Sequence, residues 1–174
     1  MSPFLRRGRS CAPALAVLVA VLSLVPAASA AGHRGVRTQS ADGYAAAVLR
    51  LVNAQRASAG LVPVEPDRRL ARAARRFSRD MVRQRFFDHV SPAGSTVGQR
   101  VRQAGFTGRG VAETIAWGAG ASAGPEAIVA MWMASPGHRA IIMDGTYRRV
   151  GVGVASGSPA GMDGARTVTA DFGT

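Results

Sequence analysis

The stretch Trp132-Met133-Ala134-Ser135-Pro136-Gly137-His138-Arg139 decides how this chain is read. A proline pushes the residue before it out of the helical region, so Ser135-Pro136 predicts two separate helices. Ser135 suits the cap of the second helix and Pro136 its first position. His138 then falls in the first turn, where the helix dipole disfavours a positive ring. A neutral imidazole there is free to bind a metal or accept a proton. A second histidine, His89, stands in Phe86-Phe87-Asp88-His89-Val90-Ser91-Pro92, and Glu113 stands in Ala112-Glu113-Thr114-Ile115-Ala116. His89, Glu113 and His138 are read together as one site.

On the N-terminal side, helical periodicity recurs. Val48, Leu51, Val52 and Gln55 form one stripe of a helix from Tyr44 to Ala59, and Gly60 stops it. Leu61 to Pro66 is a short extended link. Asp67 caps a second helix reaching about Gln84, whose apolar positions Leu70, Ala73, Ala74, Phe77 and Met81 repeat at helical spacing. The arginines between Arg68 and Arg79 fall mainly off that stripe. They read as a solvated face, with an anion-binding surface as the alternative. Phe86 and Phe87 are expected to bury the loop that carries His89. A third helix runs from Val97 to Ala104, ended by Gly105, and a fourth from Pro125 to Ala134, with a fifth after the break through Met143.

The C-terminal part changes period. Arg149 to Ser156 and Arg166 to Phe172 alternate and read as two antiparallel strands joined by the Gly157–Gly164 loop, with a further short strand from Glu113 to Trp117. The class is therefore α+β, four to five helices packed on a small antiparallel sheet.

The N-terminus has the pattern of a secretory signal: basic Arg6, Arg7 and Arg9, an apolar run from Ala12 to Pro26, and the small-residue site Ala28-Ser29-Ala30. This divides the chain into a signal segment at residues 1–30, a lead-in at 31–43 and one domain at 44–174. The apolar run is shorter than the roughly 20 residues a membrane span needs, so no transmembrane segment is expected in the mature chain. The single cysteine, Cys11, would leave with the signal, so the exported domain would hold together by packing without disulfides. All 22 basic residues are arginine, and the net charge is +12, or +9 without the signal segment, which holds no acid. A basic exported domain can adhere to anionic cell-wall polymers or lipid headgroups. Nucleic acid is a poor partner for it: aromatics make up only 6% of residues and no nucleic-acid-binding motif is present.

In order, several short pieces resemble the CAP superfamily of cysteine-rich secretory, antigen 5 and pathogenesis-related proteins, in its small bacterial secreted branch. They are Asn53-Ala54-Gln55-Arg56 before Gly60-Leu61, the Phe86–Pro92 stretch, Glu113-Thr114-Ile115-Ala116 and the Trp132–Arg139 stretch. Tyr147, Gly151-Val152-Gly153-Val154 and Asp171-Phe172-Gly173 complete the series. The resemblance implies an α–β–α sandwich with an open cleft. In that family the cleft carries two histidines and acidic residues and often binds a divalent metal; the matching positions here are His89, Glu113 and His138. Two departures stand out. No acid follows the first histidine between Val90 and Arg109, and Ala112 and Thr114 replace the glycine and asparagine usually flanking the glutamate.

Two neutral imidazoles and one carboxylate suit zinc, with water as a further ligand. Three protein ligands would hold it weakly. Ser91 reads as part of a turn and Ser135 as a cap, so neither is taken as a nucleophile. Gly120-Ala121-Ser122-Ala123-Gly124 has the letters of a hydrolase elbow but not the strand, acid and histidine it requires. No catalytic residue is assigned. The expectation is a monomeric, secreted or envelope-associated binding module for a divalent metal and a small ligand, a lipid or cell-wall fragment. A metal-dependent hydrolase acting on peptide or other acyl substrates is the alternative.

Overall fold

A computed structural model describes residues 40–174. The expected signal segment, residues 1–30, and most of the expected lead-in, residues 31–43, lie outside that range. The first helix, α1 (Ala41–Ser58), starts three residues earlier than the periodicity predicts. The Ser40 hydroxyl accepts a hydrogen bond from the Gly43 N–H at 3.1 Å, and acidic Asp42 sits in the first turn, so both the orphan donors and the dipole favour starting there.

The Asn53 side chain grips the extended link by both ends: Nδ2 donates to the Val64 carbonyl at 3.0 Å and Oδ1 accepts from the Val64 N–H at 2.9 Å. That places β1 (Glu65–Pro66) beside β3 (Arg149–Ser156) in parallel. The expected link thus contributes a two-residue strand, and the sheet is mixed where a wholly antiparallel one was expected. Helix α2 (Arg68–Gln84) follows, capped by Asp67 Oδ1 on the Arg69 and Leu70 N–H groups at 2.7 and 3.2 Å. Helix α3 (Val97–Gln103) carries a capping box between Thr96 and Gln99. Strand β2 (Val111–Gly118) leads through a 3-10 turn (Gly120–Ala123) into α4 (Pro125–Ala134) and α5 (Pro136–Ile142), and β4 (Arg166–Gly173) ends the chain's order of elements. The strand order is β1-β3-β4-β2, leaving β2 at an edge.

Alternation along the strands separates two layers. Val150, Val152, Val154, Val168, Ala170 and Phe172 point to one face and pack with Val48 and Val52 of α1, Ile128 and Trp132 of α4, and Ile142 of α5. The opposite face meets α2 and α3, through Leu70 with Val101 and Phe106, and through Phe77 and Met81 with Ile115. Helices therefore cover both sides, an α–β–α sandwich.

The two glycines of Gly151-Val152-Gly153-Val154 explain how closely α2 lies on the sheet. A Cβ at Gly151 would stand 1.9 Å from the Ala71 backbone N, and one at Gly153 would stand 2.1 Å from that of Arg75. Only a bare backbone admits the helix there. On the other side, Arg56 is fully buried and donates to four carbonyls, those of Val62, Ile142, Asp144 and Tyr147, at 2.7 to 3.2 Å. It ties the end of α1 to the chain leaving α5, a role the helical stripe did not reveal.

Candidate functional site

Helix α2 ends at Arg85, which takes the left-handed conformation (φ 55°), with its N–H and that of Phe86 both returning to the Met81 carbonyl. The turn aims the following loop at the open edge of β2. Phe86 packs on Phe77, ring centroids 5.7 Å apart, and holds the loop down. Phe87 does not, being 46% exposed; one aromatic anchor suffices. Asp88 forms a tight turn by accepting from the Val90 N–H at 2.9 Å, so it makes no hydrogen bond to the neighbouring imidazole. The Ser91 hydroxyl accepts from the Ser95 N–H at 3.0 Å, the turn role expected of it.

His89 is oriented from below by the sheet. Its Nδ1 lies 2.8 Å from Glu113 Oε1, and the other Glu113 oxygen accepts from the Arg100 guanidinium at 2.6 Å. The Glu113 side chain is 1% exposed and that of His89 is 49% exposed, so a buried carboxylate holds a ring whose other nitrogen is left for something else. The hydrogen bond to Glu113, more than the opposing effect of burial, holds the His89 pKa above the usual imidazole value.

Arg100 is the residue the sequence hid. It sits among many arginines, and its partners come from three separate segments. One of its nitrogens donates to the carbonyls of His89 and Ser95 at 3.0 and 2.7 Å, and its Cζ stands 3.4 Å from the Phe77 ring centroid. It fixes the loop backbone, the carboxylate and the helix at once. Cation–π and charge-assisted contacts of this kind gain strength where water is excluded, and the Arg100 side chain is only 9% exposed.

Asp171 is the second hidden residue. The antiparallel register sets it opposite Glu113 across β2 and β4. It is fully buried, and neither carboxylate oxygen receives a hydrogen bond from a donor among the described residues. Burial first, and then the charge of Glu113, push its pKa well above the ordinary carboxyl value. A proton retained on Asp171 removes the repulsion between two carboxylates in one dry space.

His138 arrives from the other helical layer. It occupies the first turn of α5, as the Ser135-Pro136 break predicted, although Ser135 makes no side-chain capping bond. Proline at the first position leaves that helix end with one orphan N–H fewer to satisfy. The His138 ring stands edge-on to His89, with centroids 5.8 Å apart and planes at 64°. Burial, then the neighbouring His89, lower its pKa and favour the neutral ring. The two histidines meet because β2 is an edge strand: the loop after α2 and the start of α5 approach each other around it. Tyr147 packs on Phe172, centroids 6.0 Å apart.

His138, His89 and Glu113 are thus gathered, but as a row. Both Glu113 oxygens are occupied by His89 and Arg100, and no three His, Cys, Asp or Glu side chains converge as a metal-holding group among the described residues. What the two imidazoles offer toward an ion is their spacing. Rings bonded to one tetrahedral zinc at about 2.0–2.1 Å would have centroids roughly 5–6 Å apart, which brackets the separation found. A carboxylate on the far nitrogen of one ring is the usual way such a ligand is steered. Three cavities, of about 370, 460 and 500 Å³, border α2, and neither histidine lines them.

Comparison with known proteins gives a consistent result. The family model described as the cysteine-rich secretory protein family matches residues 49–172. An uncharacterized protein of Bacillus subtilis, YkwD, is 37% identical over 120 residues, which are 68% of this chain and 46% of that protein. The crystal structure of an extracellular protein containing an SCP domain from Bacillus anthracis is similar with a TM-score of 0.66 at 26% identity, covering 76% of this chain and 40% of that one. An outer surface protein of Borrelia burgdorferi shares the fold, with a TM-score of 0.64 at 19% identity over 73% of this chain and 89% of its own. The chain spans less than half the length of its Bacillus relatives.

Proposed function

The chain belongs to the cysteine-rich secretory protein family, and from that premise we propose that its His89–His138 edge is a binding site for a divalent metal ion and a small ligand, in a domain that works outside the cell. The observation that carries this reading is a pair of part-exposed imidazoles in ring contact, one of them steered by a buried carboxylate. Structural histidines are usually tied down at both nitrogens; these keep ring nitrogens without a hydrogen-bond partner among the described residues.

His89 and His138 would hold the ion, and Glu113 would orient His89 rather than ligate. When bound, zinc would act as a Lewis acid toward an oxygen of the ligand. Exposed Phe87 and Val90, 46% and 43% accessible, flank His89 in sequence and offer apolar contact to a lipid-like or cell-wall fragment. The relatives described as extracellular and outer-surface proteins, together with the signal-like pattern of residues 1–30, support export to the envelope. Binding is favoured over hydrolysis because both oxygens of Glu113, the carboxylate beside the pair, are taken by His89 and Arg100 and so are not free to activate a water.

Calorimetric titration of zinc tests the reading. Wild type should take up the ion, His89→Ala and His138→Ala should each lose most of the affinity, and Glu113→Gln should weaken it by about 10–100-fold. Equal heats in wild type and in the His89→Ala/His138→Ala double variant would end the metal proposal. A chelator-sensitive turnover of peptides or esters, lost in Glu113→Ala, would replace binding by catalysis.

A further inference from the structure

Every exposed residue of α2 except Gln84 is an arginine. Arg68, Arg72, Arg75, Arg79 and Arg83 follow the i, i+3, i+4 rule and form one row, about 22 Å long at 1.5 Å per residue, with Arg69 and Arg76 beside it. Two acids answer the row: Asp42 lies 3.5 Å from Arg75 and Asp80 lies 2.7 Å from Arg83. The remaining five arginines of this face have no acidic partner among the described residues.

The fold draws little from this arrangement: Arg72 donates to the Ala104 carbonyl and Arg75 reaches Asp42, but neither contact needs a row of arginines. Like charges three and four residues apart repel along a helix. Arg68 and Arg69 occupy a first turn without any acid, at the end where the dipole disfavours cations. The helix tolerates them because its other side is buried on the sheet through Leu70, Phe77 and Met81. A charge pattern that works against its own helix, on a face that packing leaves free, points to a partner.

The shape agrees. One groove of about 460 Å³ runs among Arg68, Ala71, Arg72, Arg75 and Arg79. A second, of about 500 Å³, continues from Arg75 and Arg79 to Arg83 along Val154–Ser156. They share Arg75 and Arg79, so together they make one track beside the row. Guanidinium groups present paired donors that match phosphate oxygens. None of the exposed large apolar residues lies on α2, whereas a helix that enters a bilayer surface needs them.

We propose that the outer face of α2 is a docking track for a linear, phosphate-repeating polyanion of the cell envelope. The proposal stands apart from the metal reading, since the track contains neither histidine. Export, supported by the extracellular relative, selects an envelope polymer over nucleic acid.

Long-chain inorganic polyphosphate is the probe, with binding to the full chain followed from 50 to 300 mM salt. The association constant should fall linearly on logarithmic axes. Replacing Arg72, Arg75 and Arg79 by Gln should weaken binding at least about tenfold and flatten the slope by about two, at roughly 0.7 per lost contact. Replacing Arg50, Arg109 and Arg139 by Gln removes the same charge elsewhere and should change affinity less than about twofold. Thermal melting of both triple variants should show them folded, the α2 variant close to wild type because relieved repulsion offsets the lost contacts of Arg72 and Arg75. Equal losses in the two triples would reduce the effect to net charge and overturn the track. Failure to bind polyphosphate, tighter binding to phosphatidylglycerol vesicles, or tighter binding to duplex DNA would each overturn the proposed occupant.

Discussion

The two faces of strand β4 are built on opposite principles. Val168, Ala170 and Phe172 face α1, α4 and α5 and bury only hydrocarbon. Thr167, Thr169 and Asp171 face the other way, and all three are fully buried. The Thr169 hydroxyl accepts from the Ser78 hydroxyl at 2.9 Å, and Asp171 lies opposite Glu113. Strand β3 repeats the contrast, with Val152 and Val154 on the first side and Gly151 and Gly153 on the second. Fully burying a valine- or phenylalanine-sized side chain stabilises by roughly 1.5–3 kcal/mol, so the first face supplies stability. The second face admits α2 almost to van der Waals contact with the strand backbone and places a carboxylate beneath His89. A single sheet thus puts its largest hydrophobic cluster and its candidate site on opposite faces by the two-residue period of a strand.

The contrast can be broken most severely at Gly153. Gly153→Val would drive a side chain into the Arg75 backbone and should cost more than the 1–3 kcal/mol typical of overpacking, abolishing a cooperative melt. Val152→Ala, one residue away on the other face, should leave a folded protein about 1–2 kcal/mol less stable through lost burial. Similar losses at the two positions, measured by urea denaturation, would mean that the helix does not rest on the glycines.

A smaller effect should appear at Asp171. Its folded pKa is raised, so its stability contribution is fully present below the unfolded carboxyl value of about 3.9 and is lost as pH rises through the folded value. Asp171→Asn keeps the shape without the charge. At pH 7 the variant should match or exceed wild type, by an amount of order 1 kcal/mol, and the advantage should vanish in acid. Melting curves from pH 3 to 8 decide it; a variant weaker at every pH would make Asp171 an essential acceptor.

The finest distinction lies within the site. Two-dimensional NMR titration should find His89 titrating above about 6.5 and His138 below it. Any stability from the His89–Glu113 pair is complete below that value and fades as pH rises through the folded His89 pKa. Glu113→Gln should lower the His89 value and leave His138 nearly where it was. Coincident titration of the two rings would remove the environmental difference described above.

Much of this architecture was legible along the chain. Leu70, Ala73, Ala74, Phe77 and Met81 repeat at helical spacing and are all buried. Asp67 looked like a cap and is one. The Ser135-Pro136 break separates α4 from α5 where expected. The misses have physical causes. Phe87 looked like an anchor, yet Phe86 already fills the space beside Phe77. β1 is two residues long and depends on Asn53 gripping Val64, a pairing with no periodic signal. Arg56 and Arg100 were two arginines among many, distinguishable only by what surrounds them.

Periodicity, caps and the proline break act within a few residues, so the amino-acid order alone determined the helices, the three longer strands and the two histidine-bearing segments. The partners at the site are set by strand register and by the approach of two layers around an open sheet edge. Those are properties of contacts between distant segments. Only the folded chain could show that Glu113 spends both oxygens on His89 and Arg100, and that a second buried carboxyl, Asp171, stands across from it.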